Sequence, residues 1–579
     1  MLAAEVTALY PGRARMRPRP PLTARMLLLK RLLAWFQPDI SRPLTQAWLA
    51  ALWMSLLANW PLWEQLRSLS LGTGFLLAFA GMVTAATGAV LSLLAWPRLI
   101  KGVLVLLLLA GAALAYFIGT YGIVFDPSMV VNMVQTDARE TRDLLSWRLL
   151  ANLLVLGALP AWWLLRRPRA PHQAFRHRLG GNLAAFGLGL AAMVLLALSV
   201  FATLSSTMRN HKSIRYMVTP LNAVYSVGAV AARNLAGPKG PPAVIGADAR
   251  LLPRAEGAKP PLLLLVVGET ARAMNFSLNG YARPTNPELS RLPATQLFSL
   301  GDVTSCGTAT AASLPCMFAP QGHSAFDADK PQENLLDVLQ RAGLAVLWLD
   351  NQSGCKALCD RVPNDFTTQL PAGATPLPAG MCNGEECFDE ALLHALDRRI
   401  AALDPERLRR GLVLVMHQMG SHGPAYFKRS PPDLKPFQPE CRSNELQQCP
   451  REQVVNGYDN TLVTTDRLLS RAIAWLQTKQ ARFDAGMLYV SDHGESLGEN
   501  GLYLHGMPYA IAPAEQTHVP MILWLPEDGA LATSLQPGCL ATLRDKPASH
   551  DNLFHTVMGW VGARADVYKP EWDLLAGCR

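Results

Sequence analysis

Between residues 262 and 525 the sequence repeatedly sets a chemically competent side chain just after a short apolar run. LLLLVV (262–267) leads to Gly268 and Glu269, AVLWL (345–349) to Asp350, LVLVM (412–416) to His417 with His422 soon after, and MLYV (487–490) to Ser491, Asp492 and His493. Carboxylates and imidazoles together supply hard oxygen and borderline nitrogen ligands, a mixture that suits Zn²⁺ with one coordination position left open. Any one of these carboxylates alone would more often be a helix cap; their joint placement points to a metal. A nucleophile is available in SCGTATAASLPC (305–316), where two cysteines bracket Thr308 and Thr310 at a helix start. A helix N-terminus favours negative charge and offers free N–H groups, so a phosphate carried on either threonine would be stabilised there. A zinc ion beside that hydroxyl would lower its pKa.

These side chains need a frame. Apolar runs separated by helical patterns, with MILWL (521–525) as a further run, imply a mostly parallel sheet covered on both faces, so residues 261–579 are expected to form an α/β domain. In such open sheets the site gathers beyond the carboxyl ends of the strands, where the polar residues above would lie. All ten cysteines fall between Cys306 and Cys578. Their proximity suggests the disulfides Cys306–Cys316, Cys355–Cys359, Cys382–Cys387 and Cys441–Cys449, leaving Cys539 and Cys578 for a fifth. A cysteine-based structural zinc site lacks its paired CxxC knuckles. Disulfides imply an oxidising, extracytoplasmic compartment for this half.

The first half has a different character. Residues 1–215 hold 22 Lys+Arg against 7 Asp+Glu, and residues 216–579 hold 31 against 37, so the overall +9 belongs to the N-terminal part. The excess sits between apolar segments, where basic residues set membrane orientation, and nucleic-acid binding is not expected. Five stretches lack Asp, Glu, Lys and Arg altogether: 43–63, 68–97, 102–125, 149–165 and 179–208. Each approaches the roughly 20 apolar residues needed to cross a bilayer. The basic clusters Arg13–Arg31, Arg98/Lys101 and Arg166–Arg178 alternate so that all lie on one side, which delivers residue 209 onward to the other side, with the cysteines. The expected order is a basic cytoplasmic segment (1–42), a five-helix transmembrane domain (43–208), a connecting helix and linker (209–260) and an extracytoplasmic catalytic domain (261–579). No cleavable signal sequence precedes the first span, so the N-terminus is expected to stay attached. Between the third and fourth spans, Asn132, Thr136 and Glu140 recur every four residues, which on a helix would give them one face.

The runs VVGETAR (266–272), SCGTATAASLPCMF (305–318), DNQSGCKALCDRVPN (350–364), HQMGSHGPAYFKR (417–429) and SDHGESLGENGLYLHG (491–506) resemble the lipid A phosphoethanolamine transferases, including the mobile colistin-resistance enzymes, within the alkaline-phosphatase/sulfatase superfamily. The resemblance extends to the five spans and so covers nearly the whole chain. It implies a zinc shell of Glu269, Thr310, Asp492 and His493, with Thr310 as the threonine that becomes phosphorylated. It places His422 and His505 as histidines that handle the phosphate or, in some members, a second zinc, and that could exchange protons with the leaving and attacking oxygens. Ser353 and Lys356 match a block that contacts the phosphoethanolamine head group, and the Asn132/Thr136/Glu140 stripe matches the donor-lipid site, with Glu140 facing the ammonium. His417 is read as a buried, hydrogen-bonded histidine. The implied reaction moves phosphoethanolamine from phosphatidylethanolamine to a lipid A phosphate, in a monomer of the inner membrane, and lowers sensitivity to polymyxin and other cationic peptides. The nearest rivals are transfer to core sugars and phosphoglycerol transfer to a glycan. A sulfatase would need a Cys or Ser matured to formylglycine where Thr310 stands.

Overall fold

A computed structural model describes residues 39–579, except 137, 169–172, 237–239, 369–374 and 383–385; the side chains of 138–140 and 236 are also outside the description. Among the described residues of the N-terminal part four helices are long and apolar enough to cross a membrane: Thr73–Leu93, Ile100–Tyr121, Trp147–Leu165 and Phe175–Ser199. A fifth apolar helix, Pro43–Ala58, completes the group but is shorter. The uncharged stretch 43–63 suggests a longer span; the helix stops at Asn59, and a second one, Trp60–Ser68, starts there with Pro61 in its first turn. Asn59 turns its side chain onto the connecting segment, its Nδ2 donating to the Thr219 carbonyl (2.6 Å) and its Oδ1 accepting the Thr219 N–H (2.9 Å). The last stretch, 179–208, is likewise divided, at Val200, between Phe175–Ser199 and Phe201–Asn210.

The C-terminal domain is built on a seven-stranded sheet. Its strands in chain order are β1 (Pro261–Gly268), β2 (Leu297–Leu300), β3 (Ala345–Asp350), β4 (Asn364–Phe366), β5 (Leu412–His417), β6 (Asp484–Ser491) and β7 (Met521–Trp524). Across the sheet the order is β2-β7-β6-β1-β5-β3-β4. The five strands from β6 to β4 run parallel, and β7 runs antiparallel to both β6 and β2. β1 is apolar without alternation because both its faces are covered: Leu262, Leu264 and Val266 enter one core with Tyr458, Leu462 and Leu469 of helix Arg451–Gln477, and Leu263, Leu265 and Val267 enter the other with Leu339 and Phe554. Register aligns the strand ends, since Gly268 lies opposite Ser491, Val267 opposite His417, and His417 opposite Asp350. Five disulfides close around this domain: Cys306–Cys316, Cys355–Cys359, Cys382–Cys387, Cys441–Cys449 and Cys539–Cys578.

Candidate active site

The chain turns sharply where β1 ends. Thr270 has φ 55°, a left-handed conformation that costs a β-branched residue. Tyr458 holds the turn, its hydroxyl donating to the Thr270 carbonyl (2.8 Å) and accepting the Arg272 N–H (2.9 Å). Gly420 (φ +52) passes so close that a Cβ there would lie 2.7 Å from the Glu269 carbonyl oxygen. Glu269 is thereby fixed just beyond the carboxyl end of the central strand β1, with no exposure to solvent. Thr310 opens helix Thr310–Met317, and the Cys306–Cys316 bridge ties the loop before that helix to its last turn.

Register and turn bring four of the anticipated residues together. The Thr310 hydroxyl lies 3.1 and 3.2 Å from the two carboxylate oxygens of Glu269 and 3.5 Å from His493 Nε2. His493 Nε2 is 3.4 Å from Glu269 Oε1 and 3.4 Å from Asp492 Oδ2. A carbonyl can only accept, so the 2.9 Å contact to Gly494 O puts a proton on His493 Nδ1, and Nε2 is the nitrogen that faces the cluster. Asp492 Oδ1 accepts the N–H groups of His493 (2.7 Å) and Thr270 (3.2 Å), whereas Asp492 Oδ2 is buried and has no hydrogen-bond partner among the described residues. Buried polar atoms are rarely left so. Glu269, Asp492 and His493 each present one ligand atom within 4.8 Å of the others, a group that could hold a metal ion. The two carboxylates, the imidazole and the orphaned oxygen fit a divalent cation.

Electrostatics agrees with that fit. Burial, together with the Glu269 charge, pushes the Asp492 carboxyl up to about 7. Burial alone would lower His493, but Asp492 and the hydrogen bond to Glu269 outweigh it and lift the imidazole to about 10. For Glu269 the burial penalty is overcome by His493, His422 and His417, which hold it well below the usual carboxylate range. Without a cation, then, the cluster balances its negative charge by retaining protons.

His417 is hydrogen-bonded as anticipated, its Nδ1 3.0 Å from Asp350 Oδ2, yet its Nε2 is buried without a hydrogen-bond partner among the described residues, 3.9 Å from Glu269 Oε2. His505 lies against His493 at a tilt of 46° with ring centroids 4.4 Å apart, and His422 adjoins His505 at 5.4 Å, so two further imidazoles run on from the cluster. Glu495 anchors His505 Nδ1 at 2.7 Å and is held in turn by the Tyr426 hydroxyl at 2.6 Å. Glu495 and Gln352, whose Nε2 donates to Glu269 Oε2 (3.1 Å), are site residues that the sequence reasoning missed, although both stand inside the quoted motifs.

The remaining candidates lie where the two halves of the molecule meet. Lys356 Nζ is 3.1 Å from Ser353 Oγ and 3.5 Å from the carbonyl of Gln135, the last residue of helix Pro127–Gln135. That helix carries Asn132 and packs against the Thr310 helix. The single face anticipated for Asn132, Thr136 and Glu140 requires correction. Thr136 is extended (ψ 133°) and turns its hydroxyl back onto the Asn132 carbonyl (2.9 Å), which ends the helix. Glu140 belongs to the next helix, Ala138–Asp143, and its side chain is outside the described residues.

Two family models match the chain: Sulfatase over residues 261–563, and Phosphoethanolamine transferase EptA/EptB over residues 83–235. The Phosphoethanolamine transferase EptA of Escherichia coli K12 is 40% identical over 95% of this chain and 99% of its own length. The Escherichia coli Phosphatidylethanolamine transferase Mcr-1 is 37% identical over 92% and 97%. The solved structure of the integral membrane lipooligosaccharide phosphoethanolamine transferase A of Neisseria meningitidis superimposes with a TM-score of 0.86 at 32% identity, covering 92% of this chain and 98% of that one. A buried threonine at a helix start, a carboxylate–imidazole cluster at the ends of parallel strands and full-length relatives of one activity lead to one assignment: the chain belongs to the phosphoethanolamine transferase family, with a catalytic domain of the sulfatase fold.

Proposed function

We propose that the protein moves phosphoethanolamine from phosphatidylethanolamine to a phosphate of lipid A, and that Thr310 carries the group between them. The observation that carries this reading is the placement of Thr310, buried at a helix N-terminus with its hydroxyl against Glu269 and His493. Zinc held by Glu269, Asp492 and His493 would supply Lewis acidity that lowers the pKa of the threonine hydroxyl. Thr310 Oγ1 gives up its proton and attacks the phosphorus, the bond to the diacylglycerol oxygen breaks, and that oxygen leaves with the proton. His505, with Nδ1 fixed by Glu495, has Nε2 for that transfer, and His422 beside it handles the phosphate oxygens. A hydroxyl oxygen of the lipid A phosphate monoester then attacks the same phosphorus, and its proton passes to Thr310 Oγ1 as that oxygen leaves. The free N–H groups and dipole of the Thr310 helix stabilise the phosphate between the two steps.

Ser353, Lys356, Asn132 and Thr136 are assigned to the donor head group at the junction of the two halves, and Glu140 to its ammonium. The protein would lie in the inner membrane as a monomer with the catalytic domain in the periplasm, and the added ammonium would reduce surface negative charge and so polymyxin binding. Mass spectrometry of lipid A from cells expressing the wild type and Thr310→Ala tests the reading. The wild type should add one phosphoethanolamine mass and the variant none. Addition to core sugars, or to a periplasmic glycan, with lipid A unmodified would overturn the acceptor assignment.

A further inference from the structure

The charge pattern of the spans departs from its rule on the side of the catalytic domain. Arg209, Lys212 and Arg215 follow the last span on the side of the catalytic domain, where the orientation bias predicts few cations. Arg215 is occupied, donating to the Tyr216 hydroxyl at 2.7 Å and lying over its ring. Arg209 and Lys212 have no ion pair among the described residues, and both line a cavity of about 550 Å³ with Glu64, Ile118, His211 and Met507. That volume lies within the roughly 300–1,000 Å³ of small-ligand sites. The cavity is walled by helix Trp60–Ser68, by the end of span Ile100–Tyr121 and by the catalytic-domain segment around 500–511, so it opens at the level of the membrane surface.

The wall of this cavity is hydrogen-bonded to the loop that leads into Thr310. Met507, in its wall, accepts a hydrogen bond from the Thr308 hydroxyl (2.6 Å), and Gly506 N–H donates to the Thr308 carbonyl (2.8 Å), two residues before Thr310. His505 is the next residue back along the same segment. Two cations against the single carboxylate of Glu64 suit a net-anionic ligand better than a zwitterionic one, and arginine and lysine are both phosphate binders.

We propose that this cavity binds the phosphorylated sugar head group of the acceptor lipid, with Arg209 and Lys212 holding an anionic group while the reacting phosphate passes Met507 to reach Thr310. The assignment rests on the functional reading above. It is tested with the full-length protein in mixed micelles, comparing the wild type with Arg209→Glu, Lys212→Glu and the double variant. Two quantities are measured: diacylglycerol release from phosphatidylethanolamine without acceptor, and phosphoethanolamine transfer to lipid A over a range of concentrations. Charge-assisted contacts of this kind predict a roughly tenfold to hundredfold loss of transfer at low lipid A, through KM and not kcat. Diacylglycerol release should be unchanged. Release that falls in parallel with transfer would assign the cavity to the donor and overturn the proposal; unchanged transfer would reduce the two residues to surface charge. A wild type that releases diacylglycerol but leaves lipid A unmodified would overturn the functional reading, and the acceptor site with it.

Discussion

Glu269 and Asp492 are two carboxylates enclosed without solvent, and like charges so placed cannot both ionise at low cost. The protons that settle this in the metal-free protein sit on Asp492, raised to about 7, and on His493, raised to about 10. A divalent cation must displace them, so metal affinity should rise with pH between about 6 and 9, with proton release on binding. Calorimetric titration of the chelator-stripped protein with zinc, in buffers of different ionisation enthalpy, measures both; affinity independent of pH with no proton release would contradict this cluster as the site. Stripping the metal should also cost transfer at least about a hundredfold, restored by zinc. At this scale Glu269, Asp492 and His493 were legible because each stands within three residues of the end of an apolar run that reads as a buried strand. Gln352 and Glu495 were not, because nothing local shows which distant group an amide or carboxylate will face: Glu495 supports a histidine ten residues further on, and Gln352 reaches back to β1.

The Thr310 helix has His550 behind it, at the start of helix Asp551–Trp560. Its Nδ1 accepts the Cys306 N–H (3.0 Å) and its Nε2 donates to the Ser491 carbonyl (2.9 Å), so it joins the loop before the Thr310 helix to the end of β6. Burial, reinforced by the charge of His493, pushes its pKa down to about 4. A histidine depressed below its unfolded value near 6.5 stabilises the fold above that pH, and the contribution is lost as pH falls towards 4, about 3 kcal/mol in all. Melting temperatures of the wild type and His550→Gln should therefore differ most near pH 7 and converge as the pH approaches 4.5. A gap that holds constant over that range would show that His550 is not buried neutral. Elements were legible where pattern alone decides them: unbroken apolar runs gave the parallel strands because both faces are covered. The Asn132/Thr136/Glu140 stripe misled because a four-residue recurrence assumes an unbroken helix, and the Thr136 hydroxyl, bonded back to the Asn132 carbonyl, caps the helix there.

Across the whole molecule, the two halves are joined by charge. Asp143, beside the fourth span, is buried against Lys428 and Arg429 of the catalytic domain, Arg429 also pairs with Glu386, and Arg148 reaches Glu445 at 3.3 Å. The hydroxyls of Tyr116 and Tyr121, at the end of span Ile100–Tyr121, add contacts to Glu445 (3.4 Å) and the Asn444 carbonyl (3.2 Å). Removing one member of a buried ionic network leaves its partners unpaired, at about 3–5 kcal/mol. Asp143→Ala should accordingly speed hydrogen exchange in segments 138–148 and 428–445 while zinc content stays the same; unchanged exchange in both would mean that the halves are held by other contacts. The division of the chain was legible from its charge, since the positive excess lies wholly in residues 1–215. The docking was not, because it depends on single side chains some 300 residues apart that no periodicity relates.

The most direct measurement is peptide mass spectrometry of the purified full-length protein after incubation with phosphatidylethanolamine and no acceptor. One phosphoethanolamine group is expected on the peptide containing Thr310, absent from Thr310→Ala and discharged when lipid A is added. Transfer to lipid A that proceeds with Thr310 never modified, or that survives in Thr310→Ala, would contradict it.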